Sequence, residues 1–328
     1  MPLSNPSFPA NSSVKTLLNG LFDYAGLFPP ASLALNDAVD EYLAHRQEAD
    51  DWMLGPFVMT SGHWDSLLDK AERLSADSPL PVQLLPPPAR EMTDIESVLS
   101  AALEEAEEYV RRFEGRVFIV GFEWKLPADA LLEASTAVLA ISRIESVFEE
   151  SPFSDRPRYL EIVRDEAFLR QLPLYFLALG AQQKRDRVRA KIRCGGMKES
   201  DFPTTGELAA FLYAALRTGY PFKATAGLHH PVRHFNEGQG VAMHGFLNVF
   251  FAVTIGRCMD LDTSAIEDIL ADTDPSHFSF TDRGIEWNGL TASTTEFIRD
   301  RRQLALSIGS CSFDEPRHDL HKLGWLSH

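Results

Sequence analysis

Two short stretches near the middle of the chain place lysine inside segments that otherwise have the pattern of β-strands. In RAKIRCGG (189–196) and YPFKATAGLHHPVRH (220–234), apolar residues alternate with polar ones. A period of two is typical of a strand with two different faces. The chain has eight lysines against 23 arginines, so Lys191 and Lys223 at mid-strand positions are unusual. We therefore predict that both strands carry functional cations on one face.

The polar face of these two strands supplies the first candidate site residues. They should point the same way and meet in space: Lys191, Arg193, Lys223, Thr225 and His229. Ammonium groups that are crowded together and buried need a carboxylate partner, or else at least one of them must titrate low.

Three carboxylates are the expected partners because each lies at the C-terminal end of a predicted strand. They are Asp23, Glu123 and Glu161. Glu161 is on the strand predicted to lie next to Lys191, so it could pair with that lysine, act as a general base or hold a metal. The simpler interpretation of each carboxylate is an ion pair that closes the mouth of the fold.

This set of residues predicts an enzyme that acts on a small carbonyl compound bearing a carboxylate or a phosphate. Arg193 and Arg233 would hold the anion, and either lysine would be the nucleophile or general base. His229 or His230, in the HHP turn, would transfer protons. Lyase, aldolase or isomerase chemistry suits such a set, and no cofactor is expected. A protein that only binds a small anion is a further alternative.

The segments KIRCGG (191–196) and KATAG (223–227) resemble class I, Schiff-base aldolases of the deoxyribose-phosphate type. The resemblance covers these two segments alone, in the position of the lysine and in the glycine that follows the strand. It implies that Lys191 or Lys223 forms an imine while the other lysine keeps its pKa low. It does not indicate which lysine is the nucleophile.

Histidines are concentrated just after the second stretch. His229, His230 and His234 lie in HHPVRH, and His244 follows. Such crowding suits either metal ligation or acid–base chemistry. The chain contains no HxH or HExxH pattern, and the nearby lysines and arginines oppose a divalent cation. No metal is therefore expected. The alternative is a metal-dependent enzyme that uses His229, His230, His234 or His244 with Glu161 or Glu123.

Adjacent glycines follow the first of the two strands. Gly195 and Gly196 could expose backbone N–H groups to a phosphate, as could the later segment that contains Gly309. A tight turn from strand to helix would explain the glycines equally well. Cys194 falls on the apolar face of its strand and is expected to be buried.

Strand and helix patterns alternate along most of the chain, which predicts a single (βα)8 barrel over residues 1–328, with a doubly wound open sheet as the alternative. The first seven strands are predicted at 21–24, 53–60, 81–87, 116–124, 158–163, 189–194 and 222–229. The less regular part, 277–328, should contain a β-hairpin and a final short helix. The eighth strand is either 277–281, which is preferred, or 306–312. Helices are predicted at 205–219, capped by Thr205, and at 240–258, and another begins at Ser293 with a capping box.

Composition narrows the range of partners. A net charge of −16 opposes binding to nucleic acid or to an anionic membrane, which both need clustered lysine and arginine. Three widely spaced cysteines predict no disulfide framework. The apolar tract 245–256 is too short to span a bilayer, and it should be a core helix or the interface of a homo-oligomer. The expected partner is a small anionic molecule, and the expected location is the cytoplasm.

Overall fold

In a computed structural model that describes residues 13–326, eight parallel strands close into a barrel. In chain order they are β1 (Phe22–Tyr24), β2 (Leu54–Thr60), β3 (Leu80–Leu85), β4 (Val117–Lys125), β5 (Arg158–Glu161), β6 (Val188–Arg193), β7 (Phe222–Thr225) and β13 (Ala305–Ser310). Around the barrel the order is β1, β13, β7, β6, β5, β4, β3, β2 and back to β1. The predicted (βα)8 architecture is confirmed, and closure of the sheet excludes the open doubly wound alternative.

Two smaller sheets lie outside the barrel. One pairs β8 (His234–Asn236) with β9 (Val241–Met243), and the other contains β10 (Phe278–Thr281), β11 (Gly284–Trp287) and β12 (Leu290–Ser293). Both are antiparallel.

Helices separate most of the barrel strands and surround the sheet. They are α1 (Ser13–Leu18), α2 (Leu35–His45), α3 (Trp64–Leu68), α4 (Ile95–Arg112), α5 (Ala134–Glu149), α6 (Phe168–Ala181), α7 (Thr205–Thr218), α8 (Phe246–Cys258), α9 (Thr263–Ala271), α10 (Thr294–Gln303) and α11 (Asp314–Lys322). Of these described helices, none has the length and apolar character needed to cross a membrane. Helix α8 is buried from Phe246 to Gly256 and packs against α7, α9 and α10, so its apolar surface belongs to the core.

Helix caps follow the sequence signals closely. α7 begins after Thr204, whose hydroxyl accepts from the backbone N–H of Glu207, so the predicted cap at Thr205 was wrong by one residue. Gly219 ends the helix with a left-handed φ of 63°, a conformation that costs glycine little. α10 begins with the predicted capping box of Ser293 and Glu296.

The eighth strand of the barrel is β13, so the preference for 277–281 was wrong. β13 pairs in parallel with both β1 and β7. Segment 278–281 instead pairs antiparallel with β11 in a hairpin, where Thr281 lies opposite Gly284. Glycine suits position 309 of β13, because a Cβ there would come within 3.2 Å of the Thr225 side chain on β7.

Strand β7 is shorter than its alternating pattern predicts. The pattern runs through residue 229, but the strand ends at Thr225 because Ala226 and Gly227 adopt positive φ angles of 61° and 70°. His229 therefore lies in a loop and not on the strand. A second correction concerns the helix predicted at 240–258, which begins only at Phe246 because β9 occupies its first residues.

Candidate active site

A cavity of about 600 Å³, open in part to solvent, lies at the carboxyl ends of the barrel strands. Its walls combine charged, small polar and apolar side chains. They are Ala25, Phe28, Pro29, Val58, Leu85, Glu123, Glu161, Lys191, Arg193, Thr225, Ala226, His229, Gly309 and Cys311. This end of the barrel is where enzymes of this architecture place their active sites.

Lys191 lies at the floor of this cavity between two carboxylates. Its Nζ is 2.5 Å from Oε2 of Glu123 and 2.8 Å from Oε2 of Glu161. Only 5% of Lys191 is exposed. Because both carboxylates also line the cavity, a bound molecule would meet the ammonium group and its two partners together.

Lys223 is fully buried and does not line the cavity. It donates hydrogen bonds to Asp23 and to Oε1 of Glu123. Its Nζ also lies 5.7 Å from the centre of the Tyr159 ring. The hydroxyl of Ser307 donates a further hydrogen bond to Asp23 at 3.1 Å. Lys223 therefore supports the network from beneath and cannot reach a ligand in the cavity directly.

Strand register explains why these side chains meet. Glu161, Lys191, Lys223 and Ser307 are consecutive register partners across β5, β6, β7 and β13. Residues in register on adjacent parallel strands are neighbours, and their side chains point to the same face of the sheet. On β4 the register partner of Glu161 is Lys125, and Glu123, two residues earlier, reaches both lysines with its carboxylate.

The network keeps both lysines charged. Burial alone would lower the pKa of Lys191 and Lys223, but the adjacent carboxylates outweigh burial and raise both pKa values. Burial would likewise raise the pKa of Glu123, yet the two ammonium groups lower it to about 2. Asp23 has a raised pKa because its burial outweighs its pairing with Lys223. The sequence predicts either carboxylate partners or a lysine with a low pKa. The structure has the carboxylate partners.

His229 forms the side of the cavity next to the end of β13. Its Nδ1 lies 3.2 Å from Oγ of Ser310 and 3.3 Å from a carboxylate oxygen of Glu315, and both ring nitrogens are 3.8 Å from Sγ of Cys311. Burial would lower the pKa of His229, but the contacts with Cys311 and Glu315 raise it to about 9. These contacts therefore favour the protonated imidazole.

The other histidines do not join this cavity. His230 pairs with Asp319 at 2.5 Å and lies 4.2 Å, between ring centres, from His234. Buried His244 contacts the carbonyl of Pro203 at 2.7 Å, and burial lowers its pKa to about 4. Among the described residues, no group of three or more His, Cys, Asp or Glu with ligand atoms within 4.8 Å of one another includes His229, His230 or His234.

The two arginines that the sequence assigns to anion binding lie in different places. Arg193 is exposed at the cavity rim, and its Nε donates to the carbonyl of Gly195 at 2.9 Å. Arg233 is half-buried beside His244, 3.1 Å from its Nδ1, and does not line the cavity.

The glycine pair following β6 is explained by packing. A Cβ on Gly195 would come within 2.7 Å of the Gly227 Cα, and one on Gly196 would collide with Asp201. Gly195 therefore allows the loops after β6 and β7 to touch, and Gly196 lines a second cavity next to the first. Buried Cys194 fits the prediction of an apolar role.

Several cavity residues have no counterpart in the set predicted from the sequence. The sequence analysis assigns no role to Cys311, which follows directly after β13. Phe28 and Pro29 form an apolar wall of the cavity. They belong to DYAGLFPP, the segment just after β1, whose phenylalanine and prolines the sequence does predict at the barrel mouth. Correct placement of the eighth strand would have revealed Cys311, because residues that follow barrel strands face the mouth.

No family model, curated protein or solved structure matches this chain. The function is therefore inferred from the geometry of the cavity.

Proposed function

We propose that this protein is an enzyme that binds a small carbonyl compound bearing a carboxylate or phosphate and transfers a proton at the carbon next to the carbonyl. Isomerases and lyases share this step. The observation that carries the proposal is the position of Lys191, whose ammonium group lies 2.5 Å and 2.8 Å from two carboxylates at the floor of the cavity.

Lys191 and Glu161 divide the work between them. A charged ammonium group can donate a hydrogen bond to the carbonyl oxygen and stabilise the negative charge that develops there, an effect worth about 10²–10³ in rate. The adjacent Glu161 carboxylate is the group placed to accept the proton from carbon, which contributes about 10²–10⁴. Because the pair is preformed and buried, little reorganisation is needed.

The rest of the cavity suits a small anion. Arg193 at the rim offers a guanidinium to a carboxylate or phosphate, which it can bind through two parallel hydrogen bonds. Phe28, Pro29, Val58 and Leu85 supply an apolar wall. The cavity is open in part to solvent, so a small molecule can enter it.

Imine chemistry is less favoured by these contacts. An amine attacks a carbonyl only when unprotonated, and the carboxylates raise the pKa of Lys191. An imine would first require transfer of the ammonium proton to Glu161 or to the substrate. Sodium borohydride, added with a panel of keto acids and sugar phosphates, should therefore leave Lys191 unmodified, and a trapped adduct would support the aldolase-type alternative.

The test is exchange of carbon-bound hydrogen. The protein is incubated in D₂O with the same panel, and deuterium incorporation next to each carbonyl is followed by NMR. We expect exchange with at least one compound, and a loss of about 10²–10⁴ in Glu161→Gln. Glu166→Gln, which alters an exposed carboxylate nearby, is the control and should exchange at the wild-type rate. Tight binding without exchange would instead favour a protein that only binds anions.

A further inference from the structure

Outside the cavity, three side chains on α2 and α11 bring potential metal ligands together. Glu41 and His45 are four residues apart on α2 and therefore share one face of the helix, and Asp314 is the first residue of α11. One ligand atom from each lies within 4.8 Å of the others. The described residues contain no other such group.

His45 provides an independent indication of a ligand. Only 3% of His45 is exposed, and its Nε2 has no hydrogen-bond partner among the described residues. Nε2 faces Glu41, whose carboxylate oxygen is 3.5 Å away, too far for a hydrogen bond. A buried ring nitrogen without a hydrogen bond is costly, and a metal ion would satisfy it.

The opposite side of His45 is already oriented as a metal ligand requires. Nδ1 lies 3.1 Å from Oε1 of Glu48, and such a contact fixes the tautomer that leaves Nε2 free to bind a metal. Arg317 contacts the same Glu48 carboxylate and lies 3.0 Å from Oδ1 of Asp314. The imidazole and one of the two carboxylates are thus held by outer partners, as in many metal sites.

We propose that Glu41, His45 and Asp314 bind one divalent first-row metal ion of the Zn²⁺ type. One imidazole and two carboxylates suit such an ion, leave a fourth position for water and balance its double charge. The bound ion would join α2 to the start of α11. Because Glu315 follows Asp314 and contacts His229, the ion would also anchor the segment that forms one side of the cavity.

Calorimetric titration with ZnCl₂ tests the proposal, using the whole chain without a histidine tag after removal of metals. We expect one equivalent of Zn²⁺ to bind, and an excess of Mg²⁺ not to displace it. Asp314→Asn and Glu41→Gln should weaken binding by at least about 10-fold, and Glu48→Gln by about 10- to 100-fold through loss of the outer contact. Asp314 and Glu41 are not buried, so these variants should fold even if replacement of buried His45 prevents folding.

Two controls separate this site from other histidines. His318→Ala, on the exposed face of α11, should bind as the wild type does. The double variant His230→Ala/His234→Ala removes the close pair of rings, of which His230 contacts Asp319 of α11, and should also bind normally. Absence of stoichiometric Zn²⁺ binding, wild-type affinity in Asp314→Asn and Glu41→Gln, or loss only in the double variant would overturn the proposal.

Discussion

Lys191 and Lys223 are direct register partners on adjacent strands, and their ammonium groups share a single carboxylate, that of Glu123. Oε2 of Glu123 contacts Lys191, and Oε1 contacts Lys223. The carboxylate thus lies at the centre of a chain of alternating charges, with Glu161 and Asp23 at its two ends. Two neighbouring buried cations are stable together only because an anion joins them.

The first prediction concerns stability. Replacement of Glu123 by Gln removes the shared anion and leaves two buried ammonium groups facing an uncharged amide. Breaking a buried ion pair from one side costs about 3–5 kcal/mol, and we expect the lower end because each lysine keeps one carboxylate. Urea unfolding of the wild type and of Glu123→Gln should show a loss of about 3 kcal/mol.

The pH dependence of that difference provides a check on its cause. The pKa of Glu123 is lowered to about 2 from an ordinary value of 4.5. Its stabilisation should therefore be complete above pH 4.5 and disappear as the pH falls toward 2. Glu96→Gln, which removes the carboxylate from an exposed pair with Arg143, should change stability by less than about 1 kcal/mol. A similar loss in both variants would contradict the central role of Glu123.

The second prediction separates the two lysines. Lys191→Met should reduce the proton exchange described above by about 10²–10³, since the group proposed to donate a hydrogen bond to the carbonyl oxygen is lost. Glu123 keeps its contact with Lys223, and Glu161 borders the cavity, which is open in part to solvent. The loss of stability should therefore be smaller than in Lys223→Met. Lys223→Met should mainly reduce stability, by about 3–5 kcal/mol, because Asp23 and Glu123 lose a fully buried partner. Rates are compared by NMR after urea unfolding has shown that each variant is folded.

Much of this network could be predicted from local sequence. Alternation alone placed Lys191 and Lys223 on the inward face, because the period of two holds in any strand that is half buried. The three carboxylates could be named as candidates because each lies near the end of a predicted strand. That Glu123 bridges both lysines could not be predicted, since Glu123 and Lys223 are 100 residues apart and only barrel closure brings them together.

Other parts of the fold and site depend on backbone conformation, which the alternation of apolar and polar residues does not predict. The strand pattern continues to residue 229, but positive φ angles at Ala226 and Gly227 end β7 and turn His229 toward Cys311. The choice of eighth strand depended on whether 278–281 finds an antiparallel partner, and β11 provides one. Glu41 and His45 were missed because charged residues four apart are common on exposed helices and only burial distinguishes His45.

The third prediction tests the contact between the loops at the cavity mouth. In Gly195→Ala the new methyl group would come within 2.7 Å of the Gly227 Cα and 2.8 Å of its backbone N. One loop must move, at a cost of about 1–3 kcal/mol, and proton exchange should slow because Arg193 and Thr225 lie beside these loops.

The control is Gly180→Ala, at a position where a methyl group has free space. No atom lies within 4 Å of a Cβ there, at a helical position in α6, so it should stabilise the fold by about 0.5 kcal/mol. Equal effects of the two substitutions would contradict the packing role.

The last prediction concerns His229. The pKa of this buried imidazole is raised from 6.5 to about 9, because its contacts with Cys311 and Glu315 outweigh burial. A raised pKa stabilises the folded state fully below pH 6.5, and this contribution is lost as the pH rises through 9. The stability of the wild type relative to His229→Asn should therefore be greatest near pH 6 and fall by about 1–3 kcal/mol by pH 9.5. We expect the lower end of this range because Glu315 is half exposed and solvent screens its charge. NMR titration of the imidazole gives the pKa directly. The opposite result would be an imidazole that titrates near pH 6.5 and a difference in stability between the two proteins that does not change with pH. It would show that the contacts with Cys311 and Glu315 do not hold the proton. His229 would then be a neutral hydrogen-bond acceptor in the cavity at neutral pH.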